Sequence, residues 1–513
     1  MRNLVICCDG TWNTPDQEEN GVPTPTNVVK IRHAVDTSDG SQLCYYHPGV
    51  GADGGLFSRV LGGGAGKGLS MNIMSAYRWL CDNHQAGDDR LFLFGFSRGA
   101  YTVRSLGGFI SKCGILDMHN LDDKDAWARI AVAYQDGYRN KKPDWAGKWN
   151  FKVPPAEVKI HFIGVWDTVG ALGIPDDMAL LNLLDDAKDH NFHDTALGAN
   201  VSFARHALAL DEKREAFTPT LWNPASYQGR DPKCVKQLWF PGVHSDVGGG
   251  YPETGLSDGA LQWMMDEAAQ AGLKFLPGVA AQINPNHHGT LHDSATGAFK
   301  MMPTLPRNVP LLDISADIHP SAQRRHSEIN LAQGQYRPTR RLLKVGDMTE
   351  IDIYAAQPWN ETGLYLEKDA EYQLEAGGEW QDSSISCGPN GSDGDGKFQL
   401  GEVAQMAGSV IGKLEKMFKS ATGNQRADFK FTKREEEMSW FALIGMVANG
   451  GNLDDKKVVP HDTFQIGTGI TIGGDNGSAT LKGSGYLYAF ANDAWLFYGN
   501  NRGSVRLKVT RTK

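Results

Sequence analysis

A chain of 513 residues is too long for one ordinary domain, so two or three are expected, and a hydrophobic content of 41% is enough to build their cores. With 51 basic against 60 acidic side chains, a net charge of −9 and no basic tract, the composition argues against nucleic acid and against strong electrostatic binding to anionic lipid. No run approaches a membrane span, and the first residues enter a strand at once, so synthesis in the cytoplasm without a signal peptide is expected.

In chain order, Leu4–Cys8 is a predicted strand, Asn27–Val35 a helix, Gln42–Tyr46 a strand and Ser70–Asn83 a helix. An apolar strand from Leu91 then runs into Gly95-Phe96-Ser97-Arg98-Gly99, followed by helical spacing through Val103, Leu106, Phe109 and Ile110 with Gly114 as C-cap. Strands follow at Val158–Trp166 and Lys236–Phe240. This alternation, over residues 1–345, predicts a mostly parallel α/β sheet of the α/β-hydrolase kind with lid insertions. The inserts are Asp117–Pro155 and Ala171–Asn200; the run from Met178 in the second reads as a core helix ahead of a lid. Beyond Arg340 helical periodicity fades. Short alternating runs such as Tyr372–Leu374, Ile470–Ile472, Tyr486–Phe490 and Val505–Val509 predict an all-β sandwich over 351–513, with a helical insertion near 391–438. The boundary falls between Arg340 and Tyr354, and the first part is expected to fold and hydrolyse esters without the second.

The pentapeptide around Ser97 fits a nucleophile elbow, a sharp strand-to-helix turn that pushes a hydroxyl out at the end of a sheet. Such a serine needs a base, and the base an orienting acid, both from loops at the carboxyl ends of strands. Asp167 directly follows the strand ending at Trp166, and His244 lies just after the strand ending at Phe240. The order Ser97, Asp167, His244 is the one α/β-hydrolases use. Among 15 histidines, His206 reads as helical and packed and His319 is the reserve base, while Asp246 is more plausible as a supporting anchor than as the acid. An oxyanion needs backbone donors: the N–H of Arg98, and Gly10 or Thr11 in the loop Cys8-Asp9-Gly10-Thr11-Trp12-Asn13. Nothing in this chemistry calls for a cofactor.

Two further stretches mimic known loops. Gly62-Gly63-Gly64-Ala65-Gly66-Lys67-Gly68 has Leu61 where a phosphate loop begins with glycine, and Gly68 in place of the magnesium-binding hydroxyl, so nucleotide binding is rejected. Asp393, Asp395, Gly396 and Glu402 match EF-hand spacing, but Gly391 stands where the first ligand should be, so an acidic surface loop is the default. The seven cysteines are scattered and odd in number, and read as buried free thiols.

At four motifs the chain resembles the Tle-type phospholipase effectors of bacterial type VI secretion. They are Cys8–Asn13, Gly95–Ala100, Gly164-Val165-Trp166-Asp167-Thr168-Val169-Gly170 and Gly242-Val243-His244-Ser245-Asp246-Val247-Gly248-Gly249, with Ala204–Glu212 in support. The resemblance implies a Ser-Asp-His hydrolase acting on acyl esters of membrane phospholipid. It also implies delivery by the secretion spike or an adaptor into the periplasm of a target cell, and an immunity protein that restrains the enzyme at home. The last 150 or so residues resemble calcium-dependent galactose-binding bacterial lectins at Ala491-Asn492-Asp493 and Tyr498–Ser504. That likeness implies a calcium ion held by Asp493, Asn500, Asn501 and the carbonyl of Phe497, with a further oxygen near Ser383, and a glycan partner. The competing reading is a carbohydrate-binding or adhesion protein whose hydrolase-like half is only a scaffold, or a serine esterase on another acyl ester.

Overall fold

The computed structural model describes residues 1–10, 13–49, 68–85, 87, 89–169, 196–301, 303–392, 433–451, 453–454, 457–474, 477–495 and 497–513. The glycine-rich stretch 62–67, the run from Met178, the EF-hand-like residues Asp393–Glu402 and Thr11 lie outside the described residues.

Six strands, β1 (Arg2–Cys8), β2 (Gln42–His47), β3 (Asp89–Phe96), β4 (Ile160–Trp166), β5 (Val201–Ala209) and β6 (Val235–Phe240), form one sheet in the order β6-β5-β4-β3-β1-β2. All neighbours are parallel. The helices are α1 (Asn27–Ala34), α2 (Gly68–Asn83), α3 (Arg98–Cys113), α4 (Asp123–Val132), α5 (His244–Gly248), α6 (Gly255–Gln270) and α7 (Pro320–Ser327). Strand alternation splits the core in two. Leu4, Ile6, Leu91 and Leu93 join residues of α2, α3 and α4 on one face. Val5, Cys7, Phe92 and Phe94 join Val28 of α1 and Met264 of α6 on the other. With both faces covered, the central strands read as continuous apolar text.

β5 differs from the sequence reading, which took Ala204–Ala207 as helical. Its Ala, Leu and Arg residues are good helix formers, but pairing on both edges and burial of Ala204, Ala207 and Leu208 outweigh propensity. The cysteines are unbridged, yet Cys44, Cys234 and Cys387 are only half-buried.

The C-terminal strands are β7 (Met348–Tyr354), β8 (Asn360–Leu366), β9 (Glu371–Asp382), β10 (Ile385–Cys387), β11 (Leu443–Val447), β12 (Asp462–Gln465), β13 (Gly469–Gly473), β14 (Gly485–Ala491) and β15 (Asn501–Arg511). They form two antiparallel sheets, β7-β15-β9-β10 with β13 beside β9, and β8-β14-β11-β12. Leu443, Val447, Leu487 and Ala489 face the sandwich interior with Trp380 and Leu507. Their alternates Ile444, Met446, Tyr486, Tyr488 and Phe490 pack on Leu208, Trp239, Val309, Leu311 and Leu312 of the first unit. This sheet is therefore buried on both faces, and the two parts share an apolar core.

Candidate active site

The elbow is built by close approach. A side chain on Gly99 would overlap the carbonyls of Cys8 and Asp9, and one on Gly95 would overlap Gly99. Only glycine lets β3 and α3 lie this close to the end of β1. Between them Ser97 adopts φ 57°, ψ −123°, a backbone that is strained for any residue but glycine. Its N–H donates to the carbonyl of Trp166 at 3.1 Å, so Ser97 is tied to the strand that delivers Asp167.

Asp167 follows β4 and His244 opens α5, and the structure brings them together, with His244 Nδ1 2.6 Å from Asp167 Oδ2 and both fully buried. A carboxylate only accepts, so Nδ1 carries the proton and Nε2 the lone pair. Nε2 is buried and makes no hydrogen bond among the described residues. Burial holds the His244 pKa below its ordinary value, although the bond to Asp167 opposes this, which keeps the imidazole neutral. The rings of Phe96 and Phe217 lie 4.6 and 4.9 Å from it.

Arg307 is the partner the sequence reading missed. Its guanidinium donates to Asp167 Oδ1 at 2.7 Å and Oδ2 at 2.9 Å, and also to the carbonyls of Ala209 and Phe217. The N–H of Ala209 completes the set on Oδ1 at 3.0 Å. Burial alone would raise the pKa of Asp167; the Arg307 charge and the bond from His244 outweigh it and hold the carboxyl well below its usual range. A lone Pro-Arg-Asn in a loop carries no sequence signal for this role.

The other candidates have different work. Asp246 accepts from His292 Nδ1 at 2.6 Å and from Val243 N–H at 3.0 Å, and so anchors the start of α5. Glu212 accepts the His244 N–H at 3.3 Å and is itself held by Arg214 and Ser294. His206 lies on β5, where Nε2 accepts the Thr168 N–H at 3.1 Å, and burial pushes its pKa down to about 3. His319 caps α7, where Nδ1 accepts the Ser321 N–H at 3.2 Å, and stacks on Phe240 at 4.2 Å.

Arg98 opens α3 immediately after Ser97. Gly10 lies against Ser97, since a side chain built there would come 3.1 Å from Ser97 Cβ. Its N–H, however, donates to Asp9 Oδ1 at 2.7 Å, so Gly10 supplies room here and its donor is taken. Asp9 also accepts from Thr26 and Tyr46, and burial pushes its pKa up to about 6 despite these bonds. In the β sandwich, Asn501 Nδ2 donates to Asp493 Oδ2 at 2.8 Å and Asn500 Nδ2 to Asp382 Oδ1 at 3.2 Å. Asp382, one residue before the Ser383 named above, is a second buried carboxylate of this cluster beside Asp493. The carbonyl of Phe497 accepts the Asn500 N–H at 3.1 Å.

A parallel sheet with helices on both faces and a serine on a strand-to-helix elbow defines an α/β-hydrolase-like fold. Residues 2–267 match the model of the type VI secretion phospholipase effector Tle1-like catalytic domain, and the chain belongs to that family. A curated relative, the uncharacterized protein YEL023C of Saccharomyces cerevisiae, is 31% identical over 247 residues, 44% of this chain but only 33% of the relative's own length. A crystal structure of an uncharacterized protein from Pseudomonas aeruginosa is similar at 19% identity, covering 56% of this chain and 49% of that one, with a TM-score of 0.33. The structure of the Tle1 effector bound to the VgrG spike is similar at 19% identity over 49% of this chain and 51% of that one, TM-score 0.30. A PllA-like lectin, the EclA N-terminal domain, is similar at 13% identity over 32% of this chain and 94% of that one, TM-score 0.18. Among the described residues, no helix is long and apolar enough to cross a membrane.

Proposed function

We propose that the protein is a serine esterase of the phospholipase A type that cleaves acyl esters of membrane phospholipid. The observation that carries this reading is the buried His244, with Nδ1 bound to Asp167 and Nε2 making no hydrogen bond among the described residues, its ring packed on Phe96, the residue before a serine on a strained elbow. In the reaction Ser97 Oγ attacks the acyl carbonyl carbon while Nε2 takes its proton. The oxyanion is met by the N–H of Arg98, with Gly10 leaving room beside Ser97. Collapse breaks the ester C–O bond, and His244 returns the proton to the departing lysophospholipid alcohol. Water repeats the cycle on the acyl-enzyme and releases the fatty acid.

Family membership supports delivery through the type VI spike or an adaptor into a target cell's periplasm, an antibacterial role, and an immunity protein at home. For the β sandwich we propose a calcium ion held by Asp382, Asp493, Asn500, Asn501 and the Phe497 carbonyl, all hard oxygen donors. The fit rests on Asn501 Oδ1, a buried oxygen with no hydrogen bond among the described residues. Calcium there would supply glycan recognition and no part of the hydrolysis. The test of the enzyme reading is covalent labelling by a fluorophosphonate and fatty-acid release from defined liposomes. Both should vanish in Ser97→Ala and in His244→Ala; full activity in either variant would sink the assignment.

A further inference from the structure

We propose that His287, His288 and Glu328 bind a divalent transition metal of the zinc class. The three lie outside the catalytic constellation, yet one ligand atom from each comes within 4.8 Å of the others. His287 Nε2 is 3.4 Å and His288 Nε2 3.6 Å from the same oxygen, Glu328 Oε1. Ligands at zinc–nitrogen and zinc–oxygen bond lengths on a tetrahedron stand about 3.3 Å apart, so these two edges need only small adjustment to take the ion. An ordinary surface ion pair accounts for one such contact. Here two imidazole nitrogens and a carboxylate oxygen gather close enough to share one ion, and two imidazoles with one carboxylate suit zinc rather than calcium.

The backbone beneath the cluster is set. The buried Arg325 donates to the carbonyls of His287 and Gly289 at 2.7 and 2.8 Å, and Glu328 caps α7 through its own N–H. All three side chains are partly exposed, which leaves the fourth position to water and gives the ion a path in. The site has a structural consequence as well. The same loop continues to His292, which holds Asp246, and to Ser294, which holds Glu212, the two carboxylates behind His244. A metal would fasten this loop to the end of α7.

The experiment is zinc titration by calorimetry on the untagged full chain after chelator treatment, followed by cobalt substitution and its visible absorption. One zinc per chain, a tetrahedral cobalt spectrum and a zinc-dependent rise in melting temperature are expected. His287→Ala, His288→Ala and Glu328→Gln should each weaken zinc binding about tenfold or more and abolish the melting shift. Their metal-free melting temperatures should match the wild type, since the side chains are partly exposed. An absence of saturable zinc binding, or undiminished affinity in the two histidine variants, would overturn the proposal. None of these readouts depends on ester hydrolysis.

Discussion

Asp167→Asn separates the charge of the acid from its shape. Oδ1 already accepts from Ala209 N–H at 3.0 Å and Arg307 at 2.7 Å, so an asparagine must keep its carbonyl oxygen there. Its amide then turns toward His244 Nδ1, now 2.6 Å from a carboxylate oxygen. A donor at that place requires Nδ1 to accept, which moves the ring proton to Nε2 and leaves nothing to receive the proton of Ser97. A base fixed in the wrong tautomer costs on the order of 10⁴-fold in kcat, or about 5.5 kcal/mol of barrier. The same amide faces Arg307 donor to donor, and breaking a buried pair costs roughly 3–5 kcal/mol of stability, so a melting curve must accompany the kinetics. The assay is kcat on a soluble chromogenic ester, at a temperature where the variant is folded. Asp246→Asn is the control: its partners are His292 and Val243, and its loss should be far smaller. A loss below about tenfold in Asp167→Asn, or equal losses in both variants, would refute the tautomer argument.

Asp9→Asn should become more stable than wild type as pH rises. The folded pKa near 6 lies above the unfolded value, so the contribution of Asp9 to wild-type stability is fully present below about pH 4 and is lost as pH rises through 6. The gap in favour of the variant should open over that window and level off at about 3 kcal/mol; a gap that is flat with pH would mean Asp9 is not strained by burial. Chelator should lower the melting temperature in the presence of trace calcium and Asp493→Ala should remove that sensitivity, while soluble ester turnover survives chelation. Loss of turnover in chelator with the fold intact would put the ion in the catalytic half. A chain ending at residue 345 should aggregate or bind a hydrophobic dye, because truncation uncovers Val309, Leu311, Leu312 and Trp239. A soluble, active fragment would show that the shared core is dispensable.

The strand ends were legible because each carries a local signal: an apolar run, then Gly-x-Ser-x-Gly, Trp-Asp or Gly-Val-His. Asp167 and His244 could be paired in advance because both lie just past the carboxyl ends of strands of one parallel sheet, β4 and β6, which flank β5. Arg307 could not, since its contact with Asp167 spans 140 residues and nothing local marks it. β5 was misread because alanine, leucine and arginine favour helix until two neighbouring strands claim the backbone. The alternation in β14 was visible and that in β11 was not read, and in both strands the two alternating phases are apolar. Ile444 and Met446 on one side, Leu443 and Val447 on the other, do not say which face meets the sandwich and which the hydrolase unit. A sequence that reads as one apolar face too many is the trace of a second interface, here the one between the sandwich and the hydrolase unit.

That interface reaches the chemistry through one short segment. Arg307 holds Asp167, and two residues later Val309, then Leu311 and Leu312, enter the core shared with Ile444, Tyr486 and Phe490. Just upstream, the carbonyl of Thr304 accepts the indole N–H of Trp359, at the start of the sandwich, at 3.1 Å. Beside Arg307 a small cleft is closed by Gly450, Gly451 and His461 of the same sandwich. The arginine that fixes the acid is thus placed by a strip of chain that the β sandwich holds on both sides of it. Burial of Asp167 would otherwise favour its neutral form, and a neutral acid does not stabilise the imidazolium that forms on His244. The docking of the sandwich therefore bears on the charge state of Asp167 as well as on stability, which gives a physical reason for the two parts to be joined by a core and not by a linker.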